Sequence, residues 1–222
     1  MKPYFEQDGI TIYHGDCREI LPTLSVKAIV SDPPYGMAYV PLRGSDGSKR
    51  WSDRLTRRVQ GDEKAFDPAH LLGDWPCILW GAHWYADKLP ASGGWLVWNK
   101  IPNGRKEGFF ASDCDMAWTN VRQSTRMFEL QWGGEARGGE MFYHPTQKPV
   151  SLMSFSIQQL GKVGSIVDPY CGCGPTLAAA RMWNIPAIGI EIEERYCEIA
   201  ANRLRQGVLF ANDAVCGRMG AE

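Results

Sequence analysis

Residues 10–17 (Ile-Thr-Ile-Tyr-His-Gly-Asp-Cys) alternate between apolar and polar and break at Gly15, the pattern of a strand ending in a turn. A short helix over about 17–24 follows. Lys27-Ala-Ile-Val-Ser31 is a compact apolar strand that runs into Asp32-Pro33-Pro34-Tyr35-Gly36, where two prolines and a glycine end it. Residues 37–61 are polar, basic and rich in Gly and Ser, without a period, and predict a mobile loop. The pattern then gives a helix near Pro68–Leu72, a strand Cys77–Trp80, a helix His83–Leu89 and a strand Trp95–Trp98. Residues 101–143 mix turns such as Pro102-Asn103-Gly104 with short strand-like pieces such as Met127–Trp132.

The last third is the most regular. A helix begins near Pro149 and carries Leu152, Phe155, Ile157 and Leu160. Strand Ser165–Val167 enters Asp168-Pro169-Tyr170-Cys171-Gly172-Cys173-Gly174, and helix Thr176–Trp183 and strand Ala187–Ile192 follow. A final helix from about Glu193 to Arg205 puts Tyr196, Ile199, Ala200 and Leu204 on one face. Strands alternating with helices predict an α/β fold with a doubly wound, mostly parallel, Rossmann-like sheet, whose ligand binds at the carboxyl ends of the strands. One domain over 1–222 is expected, with the basic loop 37–61 and a small irregular insertion at about 101–143.

A composition of 44% hydrophobic and 22% charged residues excludes disorder and low-complexity repeats. The longest apolar runs, Ile78–Trp80 and Ala178–Ala180, are far too short for a membrane span, and Met1–Glu6 lacks the apolar core of a secretion signal. Seven scattered cysteines without Cys-x-x-Cys spacing predict reduced thiols in a cytoplasmic setting. A net charge of −1 does not mark a nucleic-acid binder, so such a role must rest on local charge. Between 43 and 58, six basic residues (Arg43, Lys49, Arg50, Arg54, Arg57, Arg58) face two acidic ones (Asp46, Asp53). That excess suits a flap over phosphates, although a lone basic run is more often a solvated loop.

Two constellations carry chemistry. In Asp168–Gly174, glycines between a strand and a helix let backbone approach a ligand, and Glu191 at the end of the next strand suits ribose hydroxyls. In Asp32-Pro33-Pro34-Tyr35, the carboxylate and the rigidly held Pro33 carbonyl are two acceptors for the N–H groups of an exocyclic amine. They would stabilise the positive charge that develops when such an amine attacks an electrophile. Tyr35 offers a flat face for an extruded base. His144-Pro-Thr-Gln-Lys-Pro149 and Gly15-Asp16 are weaker signals, a proline-framed helix start and a strand-end turn.

In this order, the four motifs resemble the amino DNA methyltransferases, which methylate exocyclic nitrogens of bases. Asp32–Tyr35 is similar to their catalytic motif in the form usual for adenine N6, and Val167–Gly174 to their S-adenosylmethionine loop. The catalytic motif precedes the cofactor loop, as in the permuted, beta-type members. The resemblance spans about residues 10–206. It implies S-adenosyl-L-methionine as cofactor and direct methyl transfer to adenine N6 of flipped bases in double-stranded DNA, without a metal, in a bacterial or phage-encoded restriction–modification setting. Asp32 and Pro33 would accept from the amine, Pro34 would stiffen the motif, and Tyr35 would stack on the base. Asp168, Pro169, Tyr170, Cys171, Gly172 and Gly174 would shape the methionine pocket, and Thr146 and Lys148 would lie near its carboxylate. Glu191 would bind the ribose and Asp16 the cofactor's adenine.

Cys173 and Pro175 depart from the Ser and Thr usual in that loop. The region left for reading sequence is small, which leaves a homodimer open. Alternatives are cytosine-N4 DNA or RNA-adenine methylation, or a catalytically idle DNA-binding subunit of a modification complex. A zinc site at Cys171, Cys173, His144 and Cys197 lacks paired ligand knuckles. Most of the nine tryptophans are expected in the core, His83 is expected to pack at a strand edge more than to line a pocket, and Asp113 and Asp115 are expected as surface or turn carboxylates.

Overall fold

The computed structural model describes residues 1–38, 60–104, 112–121, 124–132, 143 and 146–205. Among these, nine strands form one sheet: β1 Phe5–Gln7, β2 Ile10–His14, β3 Ile29–Ser31, β4 Cys77–Trp80, β5 Gly94–Asn99, β6 Cys114–Thr119, β7 Arg126–Glu129, β8 Ile166–Asp168 and β9 Ala187–Glu191. Their order is β1-β2-β9-β8-β3-β4-β6-β5-β7. The run β2-β9-β8-β3-β4 is parallel, so those carboxyl ends share one edge, whereas β1 and β6 run antiparallel to their neighbours.

Four helices complete the described fold: α1 Cys17–Ile20, α2 Val150–Leu160, α3 Pro175–Met182 and α4 Glu194–Arg205. β4 shows how the sheet divides the core. Ile78 and Trp80 point into one apolar cluster with α2, α3 and α4, while Cys77 and Leu79 point into a second with α1 and the 66–85 region. Side chains alternate across a strand, so a strand buried on both faces must be apolar throughout. All four residues of β4 are therefore buried, and the Trp80 indole N–H finds the Ser156 hydroxyl at 3.0 Å.

Several elements differ from the sequence expectation for identifiable reasons. The helix expected over 83–89 is two single 3-10 turns, Ala82–Trp84 and Ala86–Lys88, because Gly81 is left-handed and Tyr85 leaves the helical region at φ −137°. The turn expected as a helix near 68–72 is likewise a single 3-10 turn, Ala69–Leu71. Residues 101–143 contribute β6 and β7 to the main sheet, which narrows the stretch available to an insertion. Pro149 caps α2 rather than opening its first turn. The basic run 43–58 lies outside the described residues, as do His144 and Pro145.

Candidate active site

The carboxyl end of β3 delivers Asp32 into a cluster of alternating charge. Asp32 Oδ1 accepts from the Tyr35 hydroxyl at 2.6 Å and lies 3.1 Å from the Lys148 ammonium, which also donates to the Tyr35 oxygen at 2.5 Å. Among the described residues nothing is bonded to Asp32 Oδ2. Lys148 also reaches Asp115 Oδ2 at 3.5 Å, and Asp115 pairs with Lys100 at 2.9 Å. Asp32, Lys148, Asp115 and Lys100 thus alternate in sign, with side chains 5–17% exposed.

Burial pushes the Asp32 carboxyl above its ordinary range, and Lys148 pulls it part of the way back. Burial also opposes the charge on Asp115 and Lys148. Even so, two ammoniums hold Asp115 below the usual carboxylate range, and two carboxylates hold Lys148 above the usual amine range. Lys100 is shifted down by burial against the pull of Asp115. Well-packed apolar residues serve stability as well as buried ion pairs do, and losing one partner of such a pair costs about 3–5 kcal/mol. Beside an open acceptor oxygen, such a network marks a functional site.

The loop leaving Asp32 is braced from a distance. Asp62 Oδ1 accepts backbone N–H groups from Tyr35, Gly36 and Met37 at 3.0, 2.8 and 3.3 Å. Gly36 is left-handed at φ +75°, where a Cβ would stand 2.4 Å from the Lys64 carbonyl oxygen. The Tyr35 ring packs on Gly81, and His83 lies at the site rim with its ring centroid 6.5 Å from that of Tyr35. The Asp62 carbonyl also accepts from Ala38 N–H at 2.8 Å.

A second corner lies one strand away, since β3 pairs with β8. Asp168 at the end of β8 accepts from the Ser31 hydroxyl at 2.6 Å and from Tyr170 N–H at 3.1 Å, and burial pushes its carboxyl up to about 6. The chain turns at Gly172 and Gly174, both at positive φ, and Pro175 opens α3. A Cβ on Gly172 would meet nothing within 4 Å, so the turn faces open space. Glu191 ends β9 and accepts from Gly172 N–H at 2.9 Å and Glu193 N–H at 2.8 Å. Burial pushes it up to about 7. Asp16 lies just past β2, whose His14 is the register partner of Glu191, and its side chain caps α1 by accepting from Arg18 N–H at 2.8 Å.

The structure therefore brings Asp32–Tyr35, Lys148, Asp168–Gly174, Glu191 and Asp16 to one sheet edge, and it differs from expectation at Asp115. Lys148 faces Asp32 and Asp115. Asp115, expected at the surface, is 7% exposed and sits in the charge cluster. Sequence reasoning also missed Lys100 and Asp62. The signal for Asp115 was a carboxylate inside Cys-Asp-Met-Ala-Trp-Thr, a strand-like run. The Cys173 thiol lies 3.4 Å from Gln147 Oε1, tying the 146–149 segment to the glycine turn. Among the described residues no group of three or more His, Cys, Asp or Glu could hold a metal ion, and the six described cysteines form no disulfide with one another.

A glycine turn, a facing carboxylate on the adjacent strand and parallel strands ending at one edge define an α/β protein built to bind a nucleoside-type cofactor. A DNA methylase family profile matches residues 75–202. Type II methyltransferase M2.DpnII of Streptococcus pneumoniae is 42% identical over 91% of this chain and 92% of its own. M2.LlaDCHI of Lactococcus lactis subsp. cremoris is 23% identical over 94% of each chain. The solved M1.HpyAVI–SAM complex matches with a TM-score of 0.53 at 22% identity, over 88% of this chain and 98% of that one. PvuII DNA methyltransferase, cytosine-N4-specific, matches with a TM-score of 0.53 at 15% identity, over 93% and 96%. The chain belongs to the N6/N4 DNA methylase family, amino-methylating DNA methyltransferases that use S-adenosylmethionine. Its residues fit that cofactor: the Gly172 turn opens onto free space, and the two Glu191 oxygens each retain a lone pair beside it.

Proposed function

We propose that this protein methylates adenine N6 in double-stranded DNA at a specific site, with the permuted, doubly wound arrangement of the beta-type enzymes and the target base flipped out of the helix. The observation that carries the reading is the open Oδ2 of Asp32, one strand from the glycine turn and joined to it by the Ser31–Asp168 hydrogen bond. An aspartate at the head of the motif favours adenine. The cytosine-N4 PvuII likeness concerns the fold alone and leaves the base to the pocket.

Asp32 Oδ2 and the Pro33 carbonyl accept the two amine N–H groups and orient the nitrogen lone pair. Pro34 limits the backbone's freedom, so these acceptors need no rearrangement during reaction. Lys148 and Tyr35 hold the other Asp32 oxygen, which fixes the carboxylate plane. A base stacking on Tyr35 enters over the ring that Gly81 supports from behind. S-adenosylmethionine, when bound, would supply an electrophilic sulfonium methyl whose bonding electron pair would remain on sulfur, while Asp32 or water would take the amine proton. Glu191 holds the ribose, Asp16 the adenine amine, and Asp168, Pro169, Tyr170, Cys171, Gly172, Gly174 and Thr146 wall the methionine end. The basic residues Arg43, Lys49, Arg50, Arg54, Arg57 and Arg58 neutralise DNA phosphates, a reading supported by their excess of positive charge over 43–58.

A pair of variants tests this. Asp32→Ala should bind S-adenosylmethionine with wild-type affinity by calorimetry yet lose about 10²-fold or more in methyl transfer, because the acceptor acts in the transition state. Gly172→Val should lose both. Full turnover by Asp32→Ala would refute the role given to Asp32.

A further inference from the structure

Lys148 is shared. Its ammonium lies 3.1 Å from Asp32 and 3.5 Å from Asp115, on strands that the sequence keeps far apart. Lys100, at the end of β5, is bound to Asp115 at 2.9 Å and to the Ser112 hydroxyl at 3.1 Å, and it makes no ion pair with Asp32 among the described residues. We propose that Asp115 and Lys100 are positioning residues for the methyl transfer: they divide the Lys148 ammonium between two carboxylates and so set the charge and orientation of Asp32. This rests on the reading of Asp32 as the amine acceptor.

A lone Lys148 would give its whole charge to Asp32 and leave a weak acceptor for the amine. Asp115 draws part of that charge away and keeps Asp32 electron-rich. Without Lys100, however, two buried carboxylates would compete for one ammonium, a situation in which one of them takes up a proton. Lys100 prevents this by satisfying Asp115 from the far side. The groups facing Asp32 from every packed element are Lys148 ahead of α2, Tyr35 on its own loop, Asp115 on β6, Lys100 after β5, Tyr85 after β4 and Asp168 on β8, with His83 beside Asp115. Of these, Asp115 and Lys100 act on Asp32 through Lys148 and stand outside the proposed contacts with base and cofactor.

Because Asp32 is a much stronger acceptor when ionised than when protonated, its state appears as the acid limb of the single-turnover rate. Removing Asp115's charge lowers the Asp32 pKa, whereas removing Lys100's charge raises it. Single-turnover rates against pH should be measured with unmethylated duplex DNA and saturating S-adenosylmethionine. The Asp115→Asn limb is expected about half to one pH unit below wild type, and the Lys100→Met limb a similar amount above it. Lys100→Arg, which keeps the cation, should overlay wild type. The changes should appear in kcat and not in KM for the cofactor. Shifts in the same direction, no shift, or an effect confined to the cofactor KM would reduce the network to a structural brace and overturn the proposal. If Asp115→Asn fails to fold, the Lys100→Met and Lys100→Arg pair still decides, because only a charge effect is restored by arginine. A wild-type protein that methylates no DNA defeats the underlying reading, an outcome distinct from a methylating enzyme whose limbs do not move.

Discussion

At the scale of single residues, identity was legible but partnership was not. Asp32, Gly172 and Glu191 announce themselves by residue type at a strand end. Lys148 stands in a proline-framed helix start, and its partner Asp115 arrives on β6, inside a stretch whose local pattern is irregular. Nothing near Lys148 in the sequence says that its ammonium faces β6. Glu191 provides the residue-scale prediction. Burial raises its carboxyl to about 7 in the protein without cofactor, and ribose hydroxyls that donate to it favour the anion. Cofactor binding therefore releases a proton at lower pH, and affinity rises with pH before flattening above about 7. Calorimetric Kd values for S-adenosylmethionine should weaken toward about tenfold per pH unit below that point. Glu191→Gln should bind more weakly and without this pH dependence. A wild-type Kd that stays constant from pH 8 to about 6 would contradict the ribose role.

At the scale of elements, β4, β8 and β9 could be read from sequence because strands buried on both faces leave short continuous apolar runs. β6 was obscured for the opposite reason, since it carries Asp115 at a buried position where a strand pattern calls for an apolar residue. The helix expected over 83–89 failed because a left-handed Gly81 and the Tyr85 hydroxyl, bonded to the Trp80 carbonyl at 2.7 Å, hold the chain in tight turns. That turn makes room for the Tyr35 ring: a Cβ on Gly81 would stand 1.9 Å from it. Gly81→Ala must displace the ring and also adopt φ +71°, which costs a non-glycine residue about 1–2 kcal/mol. We expect a methyl-transfer rate at least about tenfold lower, with cofactor affinity unchanged and a melting temperature lower by about 5 °C. An unaltered rate would show that Tyr35 is not held in place by β4.

At the scale of the whole molecule, parallel strands bring two sites, far apart in sequence, to one edge. β3 leads into Asp32, the proposed amine acceptor, β8 and β9 lead into the proposed cofactor residues, and Ser31–Asp168 joins them across the strand pair. The α/β class followed from alternating patterns, whereas the antiparallel β6 and the edge strand β1 did not, since three to six residues of mixed polarity carry too little periodicity. The site's corner nearest β3 is closed by charges from three separate segments, and only the assembled sheet reveals it. The most direct test of the account is mass spectrometry of nucleosides from unmethylated duplex DNA incubated with the purified protein and S-adenosylmethionine. The account predicts N6-methyladenine, absent when Asp32→Ala replaces the wild type. N4-methylcytosine, or no methylated base from a protein that still binds the cofactor, would contradict it.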